Sequence, residues 1–134
     1  NSRLDEIQAI FLNIKLKFLS KIIKHKKKLA NVYFENLNNN FIKPKIERHK
    51  SDTFYIFNVR HEKRDKLRTY LRKKNIMTDI HYPFPPYKQL ALNGYFDENF
   101  PISDEIHKTT ISLPISFAHT TKDILEVTKI MNKF

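Results

Sequence analysis

Apolar residues at Leu4, Ile7, Phe11, Ile14, Phe18 and Ile22 recur at steps of three and four, and Leu12, Leu16, Leu19 and Ile23 form a second stripe beside them. This spacing predicts a helix with an apolar face. Two adjacent stripes exceed what a lone helix on a small core needs, so a second contact is expected here, with another domain or another subunit. The helix is predicted to run from near Leu4 to about Leu37 and to stop at Asn38-Asn39-Asn40, whose side chains compete for backbone hydrogen bonds. At its mouth, Ser2 with Asp5 reads as a capping box. Asn1 beside that mouth is well placed for an anion, because unpaired N–H groups and the helix dipole both favour negative charge. An ordinary capped helix satisfies the same pattern. The run from Asn1 to Ala9 reads as the middle of a motif standing at the start of the chain, with no initiator methionine before it, so a fragment is expected.

Downstream, Lys43-Pro44-Lys45 to Ser51 is a polar connection, and Thr53 to Arg60 is rich in aromatic and β-branched residues, which predicts a strand. Leu67, Tyr70 and Leu71 place a helix over Lys63 to Lys74, ended by Asn75. Ile76 to His81 reads as a second short strand. It runs into Tyr82-Pro83-Phe84-Pro85-Pro86, where three prolines exclude a helix interior and a central strand and leave a shaped loop. A short helix over Ile102 to Thr109, a strand at Ile111-Ser112-Leu113 ended by Pro114, and an amphipathic helix over Thr121 to Asn132 complete the chain. The order is that of a mixed or antiparallel sheet with helices packed on it.

Composition narrows the chemistry. The 134 residues are one domain's worth, with 40% hydrophobic residues and no cysteine, so neither a disulfide framework nor a thiolate metal site is available. Gly94 is the only glycine. A P-loop or a G-x-G-x-x-G turn needs several residues without a Cβ close to phosphate, so phosphate chemistry has to come from elsewhere. No apolar run spans a bilayer and no signal peptide is evident, which makes a soluble cytoplasmic protein without a membrane partner the expectation. The net charge of +11 calls for an acidic partner or reflects a lysine-rich solvated surface. Lys21, Lys24, Lys26, Lys27 and Lys28 crowd one stretch, but the apolar stripes continue through it and no RNA-binding aromatic motif accompanies it; a solvated face is expected, without a specific nucleic-acid partner. No histidine pair stands four residues apart with a carboxylate in the manner of a zinc site, so no metal site is expected.

His81 and Tyr82 stand out: a strand end opening onto a proline-stiffened loop holds two hydrogen-bonding side chains in fixed positions, as a ligand site requires. A packed tyrosine and a satisfied histidine at a sheet edge would give the same residues. No Ser-His-Asp arrangement or carboxylate pair has a catalytic spacing.

Four segments, in order, carry a family resemblance. Asn1-Ser2-Arg3-Leu4-Asp5-Glu6-Ile7-Gln8-Ala9 is similar to a G-x-N-x-R-L-x-E-I-Q-A element without its glycine. Lys26-Lys27-Lys28-Leu29-Ala30-Asn31-Val32-Tyr33 is similar to a basic I-A-x-x-Y helix segment. Ile80-His81-Tyr82-Pro83-Phe84-Pro85 is similar to an I-H-Y-P-x-P loop, and Ile111-Ser112-Leu113-Pro114-Ile115 to an L-S-L-P-I strand. Together they resemble the C-terminal domain of the DegT/StrS-type sugar aminotransferases, fold type I enzymes that use pyridoxal 5'-phosphate (PLP) and build amino sugars on nucleotide carriers. The resemblance implies an α/β fold of α+β type: a long N-terminal helix, then a three- to four-stranded, mainly antiparallel sheet with packed helices, residues 1–134 forming one small C-terminal domain without the large PLP-binding domain. It implies that Asn1 and Arg3 reach across a homodimer interface toward the cofactor phosphate, and that His81 and Tyr82 lie near a nucleotide-sugar substrate, with glutamate as amino donor. The Schiff-base lysine belongs in the family to the large domain, so no residue here is named catalytic and the fragment alone is expected to be inactive. Two departures touch sugar recognition: Thr53-Phe54-Tyr55 stands where the family often has an H-L-Y/F motif, and Pro86-Tyr87-Lys88-Gln89 where it often has P-x-H-x-Q. The H-Y-P-x-P loop followed by Gly94-Tyr95 looks most like members acting on 3-keto sugars such as dTDP-3-keto-6-deoxyhexoses. The rival readings are a free-standing basic α/β nucleic-acid-binding module and a degenerate remnant without activity.

Overall fold

A computed structural model describes residues 5–47, 49–92, 94–96 and 98–134. Among the described residues, five helices and two strands follow in the order α1 (Glu6–Leu16), α2 (Leu19–Asn36), β1 (Phe57–Arg60), α3 (Arg64–Lys73), α4 (Pro101–Thr109), β2 (Thr110–Leu113) and α5 (Thr121–Met131), with single 3₁₀ turns at Pro86–Lys88 and Leu90–Leu92.

The strands pair antiparallel, Phe57 opposite Leu113, Asn58 opposite Ser112, Val59 opposite Ile111 and Arg60 opposite Thr110. Because side chains alternate along a strand, this register sends Phe57, Val59, Ile111 and Leu113 to one face and Asn58 and Ser112 to the other. The first set joins Leu29, Ala30 and Tyr33 of α2, Leu67 and Leu71 of α3, and Ile124, Val127 and Met131 of α5 in one core. At its centre the Phe57 ring stacks on Tyr33 with centroids 4.7 Å apart and takes the edge of Phe34 at 5.1 Å. Burial pushes the Tyr33 phenol well above its ordinary pKa, so the hydroxyl keeps its proton and donates it to the Pro114 carbonyl at 2.8 Å.

The three- to four-stranded sheet expected from the sequence is a two-stranded one, flanked by isolated bridges at Ile42–Arg60 and Asp79–Ser112. Thr53 to Ile56 does not extend β1, because Phe54 adopts a left-handed backbone with φ of 50°. Ile76 to His81 joins the sheet's backbone pairing only at Asp79. The Asp79 carboxylate takes the N–H of Ile80 at 2.8 Å, a local bond that competes with a ladder.

The single long helix is also divided. Lys17 and Phe18 bond back to Ile14 and Lys15 in i→i+3 fashion, a tightened turn that separates α1 from α2. Neither proline nor glycine marks this joint. Asp5, with extended backbone, occupies the N-cap position of α1 and makes no side-chain cap bond, and the helix opens at Glu6. Ser2, Asn1 and Arg3 lie outside the described residues. No residue of α1 is buried: Ile7 is 67% exposed and Phe11 60%. The apolar residues of α1 thus stand free of this chain's own core.

Helix ends elsewhere follow local chemistry. Asn75, with φ of 60°, closes α3 while Ile76 N–H bonds to the Leu71 carbonyl, a Schellman arrangement. Lys43 Nζ donates to the Phe34 and Leu37 carbonyls at the end of α2. Thr120 and Asp123 form a reciprocal capping box on α5. The backbone N–H and hydroxyl of Thr120 donate to the Asp123 carboxylate and hold its pKa below the ordinary value. Stabilisation by a depressed carboxylate is present above its unfolded pKa and is lost as pH falls through the folded one. Thr120→Ala is therefore expected to lower stability by about 1 kcal/mol at pH 7 in urea unfolding. The difference from wild type should shrink as pH drops below 3.8; a constant difference at all pH values would exclude a contribution of the Thr120 hydroxyl to holding the Asp123 carboxylate.

Candidate functional site

The polar face of the sheet is organised around Ser112. Its backbone N–H donates to the Asp79 carbonyl at 2.8 Å and its carbonyl accepts from the Asp79 N–H at 3.2 Å. Strand register places Asn58 directly opposite, and Ser112 Oγ donates to Asn58 Oδ1. The same oxygen lies 2.8 Å from His81 Nδ1. Ser112 is nearly fully buried, so this polar cluster sits on a rigid base.

His81 and Tyr82 leave that base side by side, joined by a cis peptide bond, with ring centroids 5.6 Å apart and planes nearly perpendicular. His81, partly exposed, places Nε2 3.7 Å from a carboxylate oxygen of the exposed Asp79. The Tyr82 ring is mostly exposed, while its carbonyl meets His107 Nδ1 of α4. Beyond Pro83, Phe84 and Pro85, Pro86 takes the first position of a 3₁₀ turn, where its missing N–H costs nothing. Tyr87 and Lys88 then anchor the loop to α4 by bonding to Asp104, Lys88 Nζ at 2.8 Å. These bonds, that from Lys88 foremost, hold the Asp104 carboxyl below its ordinary pKa.

The structure thus brings His81 and Tyr82 together at one end of the sheet. Asn1 and Arg3 fall outside the described residues. Asn58, Asp79 and His107 were missed by sequence reasoning: they are far apart in the chain, the β1–β2 register and the Asp79 bridge bring the first two to Ser112, and α4 brings His107 to the Tyr82 carbonyl. Ser112 was visible within the Ile111-to-Ile115 segment, but nothing in one sequence marks its hydroxyl as a partner of His81.

The lysine-rich stretch is partly structural. Lys26 Nζ donates to the Tyr55 carbonyl at 3.0 Å and Lys27 Nζ to Ser51 Oγ, tying the 51–55 connection to α2. Burial lowers the Lys26 pKa. Lys21, Lys24 and Lys28 remain on an open groove with His25, Asn31 and Phe117. Among the described residues, no cluster of three histidine or acidic side chains is placed to hold a metal ion, and no helix is long and apolar enough to cross a membrane.

The DegT/DnrJ/EryC1/StrS aminotransferase family model matches residues 1–132. The chain is 39% identical, over its whole length, to the dTDP-3-amino-3,6-dideoxy-alpha-D-galactopyranose transaminase of Aneurinibacillus thermoaerophilus, of which it covers 37%. It is 33% identical over 86% of its length to the dTDP-3-amino-3,4,6-trideoxy-alpha-D-glucose transaminase of Streptomyces venezuelae, covering 31% of that protein. Among solved structures, S. venezuelae DesV in complex with a ketimine intermediate superposes with a TM-score of 0.92 at 30% identity, over 99% of this chain and 37% of that one. The chain therefore spans about a third of the length of these relatives. From Glu6 to Met131 its helices and strands follow those of solved family members, and the sequence match extends over both ends: the chain belongs to the DegT/DnrJ/EryC1/StrS aminotransferase family.

Proposed function

We propose that the chain is the C-terminal domain of a PLP-dependent sugar aminotransferase that moves an amino group from glutamate to a nucleotide-linked keto sugar, a dTDP-3-keto-6-deoxyhexose being the favoured substrate. The product would be an amino sugar for a surface polysaccharide or other glycan, made by a cytoplasmic homodimer. The observation that carries this reading is the match to a dTDP-3-amino-sugar transaminase along the whole chain. It is supported by the position of the I-H-Y-P-x-P loop, which sets one imidazole and one exposed phenol on a rigid sheet end.

PLP, when bound, supplies the electron sink for the amino transfer, and no lysine of this chain is assigned to it. Asn1 and Arg3 are the residues that would serve its phosphate. The first-turn N–H groups of α1 receive no side-chain bond from Asp5, and the N-terminal end of a helix favours an anion. His81 would accept a hydrogen bond from a sugar hydroxyl at Nε2, and the Tyr82 ring would flank the same ligand.

In the protein carrying both domains, His81→Ala is expected to lower kcat/KM for the nucleotide sugar about tenfold, the weight of one lost hydrogen bond. The half-reaction with glutamate, which does not engage the nucleotide, should stay near normal. Equal damage to both half-reactions would give His81 a shared catalytic or structural role, and damage to neither would leave it a packing residue. Failure of wild type to aminate any nucleotide-linked keto sugar would overturn the function itself.

A further inference from the structure

We propose that Ser112 and Asn58 are positioning residues that fix the tautomer of His81, keeping a proton on Nδ1 so that Nε2 is the face offered to a ligand hydroxyl. The argument is a count of protons. A serine hydroxyl has one hydrogen, and Ser112 directs it to Asn58 Oδ1. The Ser112 oxygen must then accept in its second contact, and the donor at 2.8 Å is His81 Nδ1–H. In the neutral ring Nε2 is consequently unprotonated, an acceptor turned away from the sheet. When the ring is protonated, Nε2 becomes a donor and Asp79, at 3.7 Å, is its partner. Free histidine prefers the opposite neutral tautomer, with the proton on Nε2, so the arrangement reverses an intrinsic preference.

The fold is built to hold this chain of contacts. Asn58 and Ser112 are register partners on adjacent strands, and Asp79 bonds the same serine through both backbone groups. Acceptor, relay and imidazole are thereby referred to one residue on β2. Second-layer partners of this kind set which ring nitrogen is available, as they do for metal-bound histidines.

The tautomer itself does not depend on the aminotransferase reading; its use in sugar recognition does. The test is ¹⁵N-histidine NMR on the full protein, with the His81 signals assigned by their loss in His81→Gln. The expected spectrum of wild type at a pH where the ring is neutral has Nδ1 protonated and Nε2 unprotonated. Ser112→Ala should shift the ring toward the Nε2–H form, Asn58→Ala should give a mixture, and Ser112→Thr should restore the wild-type pattern by returning the hydroxyl. A wild-type ring protonated on Nε2, or an unchanged tautomer in Ser112→Ala, would overturn the proposal. Kinetics on the same proteins separate the two levels: kcat/KM for the nucleotide sugar should fall several-fold in Ser112→Ala and recover in Ser112→Thr. A tautomer shift without any kinetic change would leave the relay standing and remove His81 from sugar recognition.

Discussion

Phe57→Ala is expected to remove about 3–5 kcal/mol of folding stability, the usual cost of truncating a fully buried phenylalanine. Phe57 has no exposed surface, stacks on Tyr33, meets Phe34 edge-on and faces Leu113 across the sheet. An alanine there would leave a cavity bordered by α2 and β2 together, and these elements can close on it only by breaking the register that places Asn58 opposite Ser112. Against a total stability of roughly 5–15 kcal/mol, the variant should lose much of its soluble yield and unfold at far lower urea concentration. Leu90→Ala serves as the control. Leu90 is 93% exposed, and its truncation should change stability by less than about 0.5 kcal/mol. A loss near 1 kcal/mol for Phe57→Ala would mean that the aromatic cluster rearranges to fill the space.

The second large effect concerns the cofactor. On the proposed function, Asn1→Ala in the full-length protein should weaken PLP retention by about 1.5–3 kcal/mol, the weight of an amide donating a charge-assisted hydrogen bond to a phosphate. That corresponds to roughly ten- to a hundredfold in affinity. Equilibrium dialysis of the cofactor against wild type and variant gives the ratio directly. Equal retention by both proteins would make Asn1 a residue that merely flanks the helix.

Which parts of this molecule could be read from the chain depends on how local their causes are. α3, α4 and α5 were legible because their apolar spacing and the Asn75 stop act within a few residues. The family segments identified the chain because they stay in order over its whole length. The sheet was overestimated. β-Propensity describes a fit to a pleated, half-buried surface, and the left-handed Phe54 and the self-bonding Asp79 denied that surface to residues of suitable type. The break between α1 and α2 had no residue to announce it. At the site, His81 and Tyr82 were visible because proline stiffens the loop beside them, whereas Asn58 and Asp79 reach Ser112 only through long-range pairing.

The exposure of the segment that follows His81 has an evolutionary consequence. Tyr82, Phe84, Leu90 and Tyr95 contribute little to the core, while β1 and β2, which carry Asn58 and Ser112, are held by the packed fold. Replacing these exposed side chains changes what the segment presents at almost no thermodynamic cost, because surface positions of this kind tolerate substitution. The face that the loop presents can therefore change by single steps through folded intermediates, while the contact of Ser112 with Asn58 and His81 persists.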